Sequence, residues 1–156
     1  TLPKTNLNIF LMDLSVVIPV YNEEESIQEL TEWIEKVCTG DRISFEIIFI
    51  DDGSSDSSWE KIMLMAGKNQ FVKGLRFRRN HGKAAALHTG FNEATGDVVI
   101  TMDSDLQDSP DEIPELVKMI RDEGYDIVSG WKKKRYDPFI KRITSRFYNG
   151  TARWSS

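Results

Sequence analysis

Short apolar runs alternate with amphipathic segments along this chain, and this alternation restricts the possible folds more than any other feature. Apolar runs of this length are typical of buried strands, and apolar residues repeated every three or four positions are typical of helices. The predicted strands cover residues 14–20, 45–50, 71–77, 98–102 and 125–129, and the predicted helices cover residues 23–38, 55–65, 83–94 and 113–121. This order predicts a single α/β domain with a doubly wound, mostly parallel sheet.

Three of the predicted strands have a polar cluster at their carboxyl ends. The clusters are residues 19–23 at the end of the first strand, 51–54 at the end of the second and 103–108 at the end of the fourth. Each cluster alone fits a turn or a helix cap equally well. Because parallel strands place their carboxyl ends at one edge of the sheet, where ligands bind in open α/β folds, the three clusters together predict a binding site.

The cluster at residues 103–108 contains three aspartates and Gln107. Carboxylate and amide oxygens suit the hard cations Mg²⁺ and Mn²⁺, which also hold substrate phosphates. The alternative is an acidic turn that caps the helix beginning near Pro110.

Two common nucleotide-binding motifs are missing. No glycine-rich pattern follows the first strand, and the Gly82-Lys83 pair lacks the preceding glycine and the following Ser or Thr of a P-loop. We therefore expect a metal ion to neutralise any bound phosphate. Lys83 is a candidate for a second phosphate contact because it lies at a predicted helix start.

Charge is unevenly distributed. Residues 1–130 hold 12 Lys and Arg against 24 Asp and Glu, whereas residues 131–156 hold 8 against one. The acidic body disfavours nucleic acid as a partner, and the basic end favours an anionic one. Apolar residues in this end share one helical face, which fits a packing helix or a helix at a membrane surface.

The lone cysteine, Cys38, excludes an internal disulfide and is expected to be a buried thiol.

Four motifs carry a resemblance to a known family. They are residues 17–24 (VIPVYNEE), 51–56 (DDGSSD), 80–83 (NHGK) and 102–108 (MDSDLQD). In this order they resemble the family 2 glycosyltransferases of GT-A fold, in particular the dolichol-phosphate mannosyltransferase-like and bacterial polyprenyl-phosphate branch. The resemblance implies a metal-dependent, inverting transfer of a sugar from a UDP- or GDP-sugar to a polyprenyl phosphate, at the cytoplasmic face of a membrane.

The resemblance also assigns roles to residues. It implies Asp103 and Asp105 as catalytic residues, and the same pair with Gln107 as ligands of Mg²⁺ or Mn²⁺. It implies a nucleotide site in which Asp51 and Asp52 contact the base, and which comprises Pro19, Tyr21, Asn22, Glu23, Asp51, Asp52, Gly82, Lys83, Asp103 and Ser104. Lys132 and Lys141 are the candidates for acceptor phosphate, since Lys132 stands where this branch usually has an arginine.

The same resemblance implies a division of the chain into three segments. Residues 1–12 are a lead-in, residues 13–130 the nucleotide-sugar-binding core, and residues 131–156 a basic amphipathic start of the acceptor-side region, most of which is absent from this sequence. Three other functions remain open. One is a glycosyltransferase of the same fold that acts on a saccharide in surface polysaccharide synthesis. The others are a non-catalytic nucleotide-sugar-binding module and a nucleotidyltransferase. Analysis of the reaction products would distinguish the nucleotidyltransferase from a glycosyltransferase.

Overall fold

A computed structural model describes residues 12–130. Four parallel strands form one sheet in the order β3-β2-β1-β4. The strands are β1 (Met12–Val20), β2 (Phe45–Asp51), β3 (Val72–Arg76) and β4 (Gly96–Thr101), and the helices are α1 (Ile27–Gly40), α2 (Ser58–Lys68), α3 (Lys83–Glu93) and α4 (Ile113–Arg121). The predicted doubly wound α/β fold is confirmed.

The strand order places the site. From β1 the sheet grows through β2 to β3, and the chain then crosses to the other side of β1 to add β4. The direction of growth therefore reverses between β1 and β4. In open α/β sheets the crevice beside the carboxyl ends at such a reversal is where ligands bind.

Side chains alternate between the two faces of the sheet. Leu14, Val16 and Ile18 belong to the larger core cluster, which includes apolar residues of α1, α2 and α4. Val17 belongs to the smaller cluster on the α3 side. A Cβ atom at Gly90 of α3 would lie 2.3 Å from Val17 Cγ1, so this helix reaches its position on the sheet only because residue 90 has no side chain.

A buried carboxylate joins the strands at the opposite end from their carboxyl termini. Glu46 Oε1 accepts hydrogen bonds from Ser15 Oγ at 2.7 Å and from Thr95 N and Oγ1 at 2.8 and 2.7 Å. Lys73 Nζ lies 2.6 Å from Glu46 Oε2. Burial favours the neutral acid, but the Lys73 ammonium and these hydrogen bonds outweigh it and lower the pKa of Glu46 to about 2.

The thiol of Cys38 is buried in the larger core cluster, as expected. Burial raises the pKa of Cys38 to about 12, with the charge of Asp41 adding to the effect. The thiolate is therefore not formed at neutral pH, and the side chain acts as a small apolar group.

The predicted fifth strand is wrong within the described chain, because residues 125–130 form no strand. The Tyr125 N–H donates to Met119 O of α4 at 3.3 Å and not to a strand of the sheet. Tyr125 and Ile127 are 50% and 85% exposed. The apolar residues of this segment suited a strand, but a strand also needs a neighbouring strand to pair with. In the described part of the chain, β4 pairs only with β1.

Among residues 12–130, no helix has the length and apolar character that crossing a bilayer requires. The predicted lead-in, apart from Met12, and the predicted basic segment at residues 131–156 lie outside the described residues.

Candidate functional site

A cavity of about 310 Å³ lies at the carboxyl edge of the sheet, beside the ends of β1, β2 and β4. It is lined by Pro19, Val20, Tyr21, Glu23, Asp52, Asn80, Gly82, Lys83, Asp103, Ser104 and Asp105. The three polar clusters predicted from the sequence thus meet at one place, together with the loop before α3. Val20 and Asn80 were not predicted, although both belong to the motifs at residues 17–24 and 80–83.

The loops after β1 and β2 are bonded to each other. Asn22 has a left-handed backbone, with φ of 57°. Its Oδ1 accepts the Ser55 N–H at 2.8 Å, and its own N–H donates to Ser54 Oγ at 2.9 Å. Glu24 accepts the Ser57 N–H at 2.8 Å in the same way. Asn22, predicted to bind nucleotide, is therefore placed as a link between the two loops and does not line the cavity.

These bonds also explain where α1 and α2 begin. Both helices start three or four residues later than predicted, at Ile27 and Ser58. Side chains in the two loops compete for the backbone groups that a helix would use, as when the Asp56 carboxylate accepts the N–H of Ser58 at 3.0 Å and of Glu24 at 3.2 Å.

The adjacent carboxylates of Asp51 and Asp52 have different surroundings. Asp51 is fully buried, and its Oδ1 accepts the Ser54 N–H at 2.9 Å. Arg76 Nε lies 3.1 Å from Asp51 Oδ2, an ion-pair contact that lacks hydrogen-bond alignment. Asp51 does not line the cavity, whereas Asp52 does. Of the two residues predicted to contact the base, the structure brings only Asp52 to the site.

Asp52 is bonded to the loop before α3. Its Oδ1 accepts the His81 N–H at 2.7 Å and its Oδ2 accepts the Gly82 N–H at 2.9 Å. Its own N–H donates to Val20 O at 2.8 Å, which holds the end of β2 against the end of β1. Asp52 is thus bonded to two of the segments that line the cavity.

Lys83 is the first residue of α3 and projects into the site. It follows Gly82, whose φ of 92° favours glycine. Lys83 Nζ forms a salt bridge with Asp103 Oδ1. The positive charge at the mouth of the cavity therefore lies directly beside the first aspartate of the acidic cluster.

The acidic loop after β4 is held by its own hydrogen bonds. The Asp103 N–H donates to Asp108 Oδ2 at 2.8 Å, and Asp105 Oδ1 accepts the Gln107 N–H at 3.1 Å. Leu106 has φ of 60°, a left-handed conformation that is uncommon for leucine, and its side chain packs against the larger core cluster. This turn places Asp105 at the cavity and Gln107 elsewhere.

The donor set at the cavity fits a divalent cation that is shared with a ligand. Within residues 12–130, no group of three or more His, Cys, Asp and Glu side chains is arranged to enclose a metal. Asp103 and Asp105 nevertheless line the same cavity. Mg²⁺ is commonly held by one or two carboxylates and completed by substrate phosphates, so these two residues are sufficient on the protein side.

A second, larger cavity of about 800 Å³ lies between β4, α4 and residues 126–130. Gln107, predicted as a metal ligand, lines this cavity and not the first. Lys132 and Lys141, the predicted contacts of acceptor phosphate, lie outside the described residues.

The chain is similar to bacterial transferases that are named for undecaprenyl phosphate and a sugar. It is 43% identical over 137 residues to the undecaprenyl-phosphate 4-deoxy-4-formamido-L-arabinose transferase of Proteus mirabilis, and 45% identical over 139 residues to that of Serratia proteamaculans. In both comparisons the match covers 87% of this chain and 42% of the relative. The chain therefore spans less than half the length of these relatives.

Solved structures confirm the predicted GT-A type of fold. A mannosyltransferase from Pyrobaculum calidifontis in complex with GDP-Man and Mn²⁺ matches with a TM-score of 0.62 and 26% identity, over 73% of this chain and 34% of that one. Glucosyl-3-phosphoglycerate synthase from Mycobacterium tuberculosis in complex with uridine diphosphate matches with a TM-score of 0.63 and 26% identity, over 80% of this chain and 46% of that one.

The sequence also matches the family described as Glycosyl transferase family 2 over residues 15–154. This range contains all four motifs that carried the resemblance and most of the chain. The chain belongs to glycosyl transferase family 2.

Proposed function

We propose that this chain is the donor-binding part of an inverting glycosyltransferase that moves a sugar from a UDP- or GDP-sugar to a polyprenyl phosphate. The observation that carries the proposal is that Asp103, Asp105 and Lys83 line one cavity together with residues of the loops after β1 and β2. The names of the Proteus and Serratia relatives support a polyprenyl phosphate as acceptor.

The cavity lining offers a nucleotide both aromatic and charged side chains. Tyr21 lines it with a half-exposed ring beside Pro19, which gives a base and ribose an apolar surface to cover. Lys83, Gly82, Asp103 and Asp105 line the same cavity. The diphosphate is therefore expected near Lys83, whose ammonium pairs with phosphate as a point charge.

Asp103 and Asp105 would hold Mg²⁺ or Mn²⁺, which neutralises negative charge on a departing diphosphate when it is bound. The Lys83 ammonium forms a salt bridge with Asp103. Lys83 is thus placed to exchange this carboxylate for a phosphate oxygen as the donor enters.

The acceptor chemistry follows from the charge of a lipid phosphate. A phosphate oxygen is already anionic, so it can attack the anomeric carbon without a strong general base. Attack from the side opposite the departing diphosphate inverts the configuration at that carbon. We place the acceptor at the membrane surface, with the basic residues 131–156 and in particular Lys132 and Lys141 as its contacts.

Calorimetric titration with UDP- and GDP-sugars, with and without Mn²⁺, tests donor binding. We expect one nucleotide to bind in the micromolar range with Mn²⁺ and at least about tenfold more weakly without it. A transfer assay with the full-length protein and polyprenyl phosphate tests the acceptor. Release of nucleoside diphosphate with formation of a lipid-linked sugar supports the proposal. A saccharide product, pyrophosphate release or donor binding without turnover would contradict it.

A further inference from the structure

The last residue of β2, Asp51, carries a carboxylate that is fully buried. Its Oδ1 accepts the Ser54 N–H at 2.9 Å, and its Oδ2 lies 3.1 Å from Arg76 Nε. Within the described chain, Arg76 is the only cation at ion-pair distance from this carboxylate. A buried carboxylate that loses its counter-ion is strongly disfavoured, so the position of Asp51 depends on Arg76.

Arg76 also contacts the backbone of the turn that follows β2. It is the register partner of Asp51 in the parallel pairing of β2 and β3. Its Nη2 donates to Ser54 O at 3.3 Å, and its Cζ lies 5.6 Å from the centre of the Trp59 ring on α2. The planar guanidinium presents several donors in a fixed arrangement, so it can contact the carboxylate and the backbone of one turn together.

The turn at residues 51–54 is part of the site. Asp52 lines the cavity. Ser54 Oγ accepts the Asn22 N–H at 2.9 Å, which joins the turn to the loop after β1. Arg76 does not line the cavity. Its influence on the site therefore passes through the loops after β1 and β2.

The acidic loop after β4 is held by hydrogen bonds of its own. The Asp103 N–H donates to Asp108 Oδ2, and the Gln107 N–H donates to Asp105 Oδ1. Loss of the Arg76 contacts is therefore expected to disturb the loops after β1 and β2 more than the two aspartates that are placed to hold a metal ion.

We propose that Arg76 is a positioning residue for the nucleoside part of the donor, acting through Asp51 and the turn at residues 51–54. This inference rests on the proposed function, in which the cavity receives a nucleotide. The ion pair lies outside the cavity and fixes Asp52 and the loop after β1 before the base and ribose bind. Fixing these groups in advance lowers the entropic cost of binding.

Ligands with and without a nucleoside separate this role from a general loss of structure. The probes are UDP, GDP and inorganic pyrophosphate, each titrated with Mn²⁺ into the full-length protein by calorimetry. We expect Arg76→Ala to weaken binding of the preferred nucleoside diphosphate about tenfold or more. Binding of pyrophosphate should weaken less than about threefold, because the acidic loop keeps its own hydrogen bonds.

Lys73→Ala is the matched control. Lys73 also belongs to β3 and also pairs with a buried carboxylate, that of Glu46. The two cations are similarly exposed, at 47% for the Lys73 side chain and 39% for the Arg76 side chain. The Lys73 pair lies at the end of the sheet away from the cavity. Both variants should lower stability in urea, but only Arg76→Ala should weaken binding of the nucleoside diphosphate.

Two conservative variants test which feature of the side chain is needed. Arg76→Lys keeps a counter-ion for Asp51 and should bind the nucleoside diphosphate within about threefold of wild type. Arg76→Gln places an amide nitrogen where arginine has Nε, but removes the charge and Nη2. It should weaken binding by about three- to tenfold, and it provides the test if Arg76→Ala does not fold.

The possible outcomes are distinct. Equal weakening of pyrophosphate and nucleoside diphosphate binding in Arg76→Ala overturns the inference, because the ion pair would then stabilise the fold alone. Unchanged nucleoside diphosphate binding in Arg76→Ala, or an equal loss in Lys73→Ala, also overturns it. A wild-type protein that binds neither UDP nor GDP refutes the proposed function, whereas normal wild-type binding that does not depend on Arg76 refutes only the inference.

Discussion

Lys73 Nζ lies 2.6 Å from Glu46 Oε2, and the two partners differ in exposure, at 47% for the lysine side chain and 1% for the glutamate side chain. The carboxylate is thus removed from water while the ammonium remains hydrated. The pair, with Ser15 and Thr95, ties β1, β2, β3 and the turn before β4 together at the end of the sheet away from the cavity.

The pKa of Glu46 predicts how stability depends on pH. The pKa is about 2 in the folded chain against an ordinary value of 4.5 for a glutamate side chain, so the folded state favours the ionised form. The resulting stabilisation, at most about 3 kcal/mol, is fully present above pH about 4.5 and is lost as the pH falls toward 2. The difference in unfolding free energy between wild type and Glu46→Gln should shrink over this range in urea titrations. A constant difference from pH 7 to 2.5 would contradict the assignment, and Glu60→Gln on the exposed side of α2 is the control.

The contact between α3 and β1 predicts that replacing Gly90 by alanine lowers stability, although alanine is the better helix former. Alanine favours helix over glycine by about 1 kcal/mol. Gly90→Ala should nevertheless destabilise the chain by about 1 to 3 kcal/mol, because the new Cβ would meet Val17 Cγ1 at 2.3 Å. Gly67→Ala in α2 is the matched control, since nothing lies within 4 Å of its Cβ position, and it should be neutral or stabilising. Chemical denaturation measures both, and equal effects would show that α3 can move away from the sheet.

The position of Asp105 at the cavity predicts that binding of the donor depends on a metal ion. Asp105→Ala should reduce Mn²⁺-dependent binding of the nucleotide sugar at least about a hundredfold and have little effect on stability, because the side chain is exposed. Asp41→Ala, an exposed change in the turn between α1 and β2, should leave binding unchanged. Calorimetry in the presence of Mn²⁺ and of EDTA measures both effects. Donor binding of normal strength in Asp105→Ala would exclude this residue from the metal site.

The basic end of the chain predicts attraction to anionic membranes. Each Lys or Arg close to an anionic bilayer contributes about 1 kcal/mol. Reversing Lys132, Lys133, Lys134 and Arg135 to glutamate should therefore abolish co-sedimentation with vesicles that contain anionic lipid. High salt should weaken the wild-type interaction because it screens the attraction. Unchanged co-sedimentation of the variant would mean that these residues are only a solvated charged face.

The sequence predicted the sheet well and the side-chain directions less well. All four described strands and α4 lie within about two residues of their predicted positions, because apolar periodicity reports burial directly. The apolar pattern did not distinguish Asp51 from Asp52; in the structure Asp51 contacts Arg76 of β3, and Asp52 lines the cavity. The resemblance implied Gln107 as a metal ligand, but Gln107 follows the left-handed turn at Leu106 and lines the other cavity.

The order of the strands makes the site a product of long-range folding. β1 pairs with β2 through Leu14 and Phe45 and with β4 through Leu14 and Val98, which are more than 80 residues apart in the sequence. A partly folded chain that lacks the β1–β4 pairing cannot bring Asp103 to the loops of β1 and β2. A ligand that needs both sides of the cavity therefore binds only the fully assembled sheet, and its concentration raises the free energy of unfolding by mass action. The donor would therefore stabilise the folded sheet to which it binds.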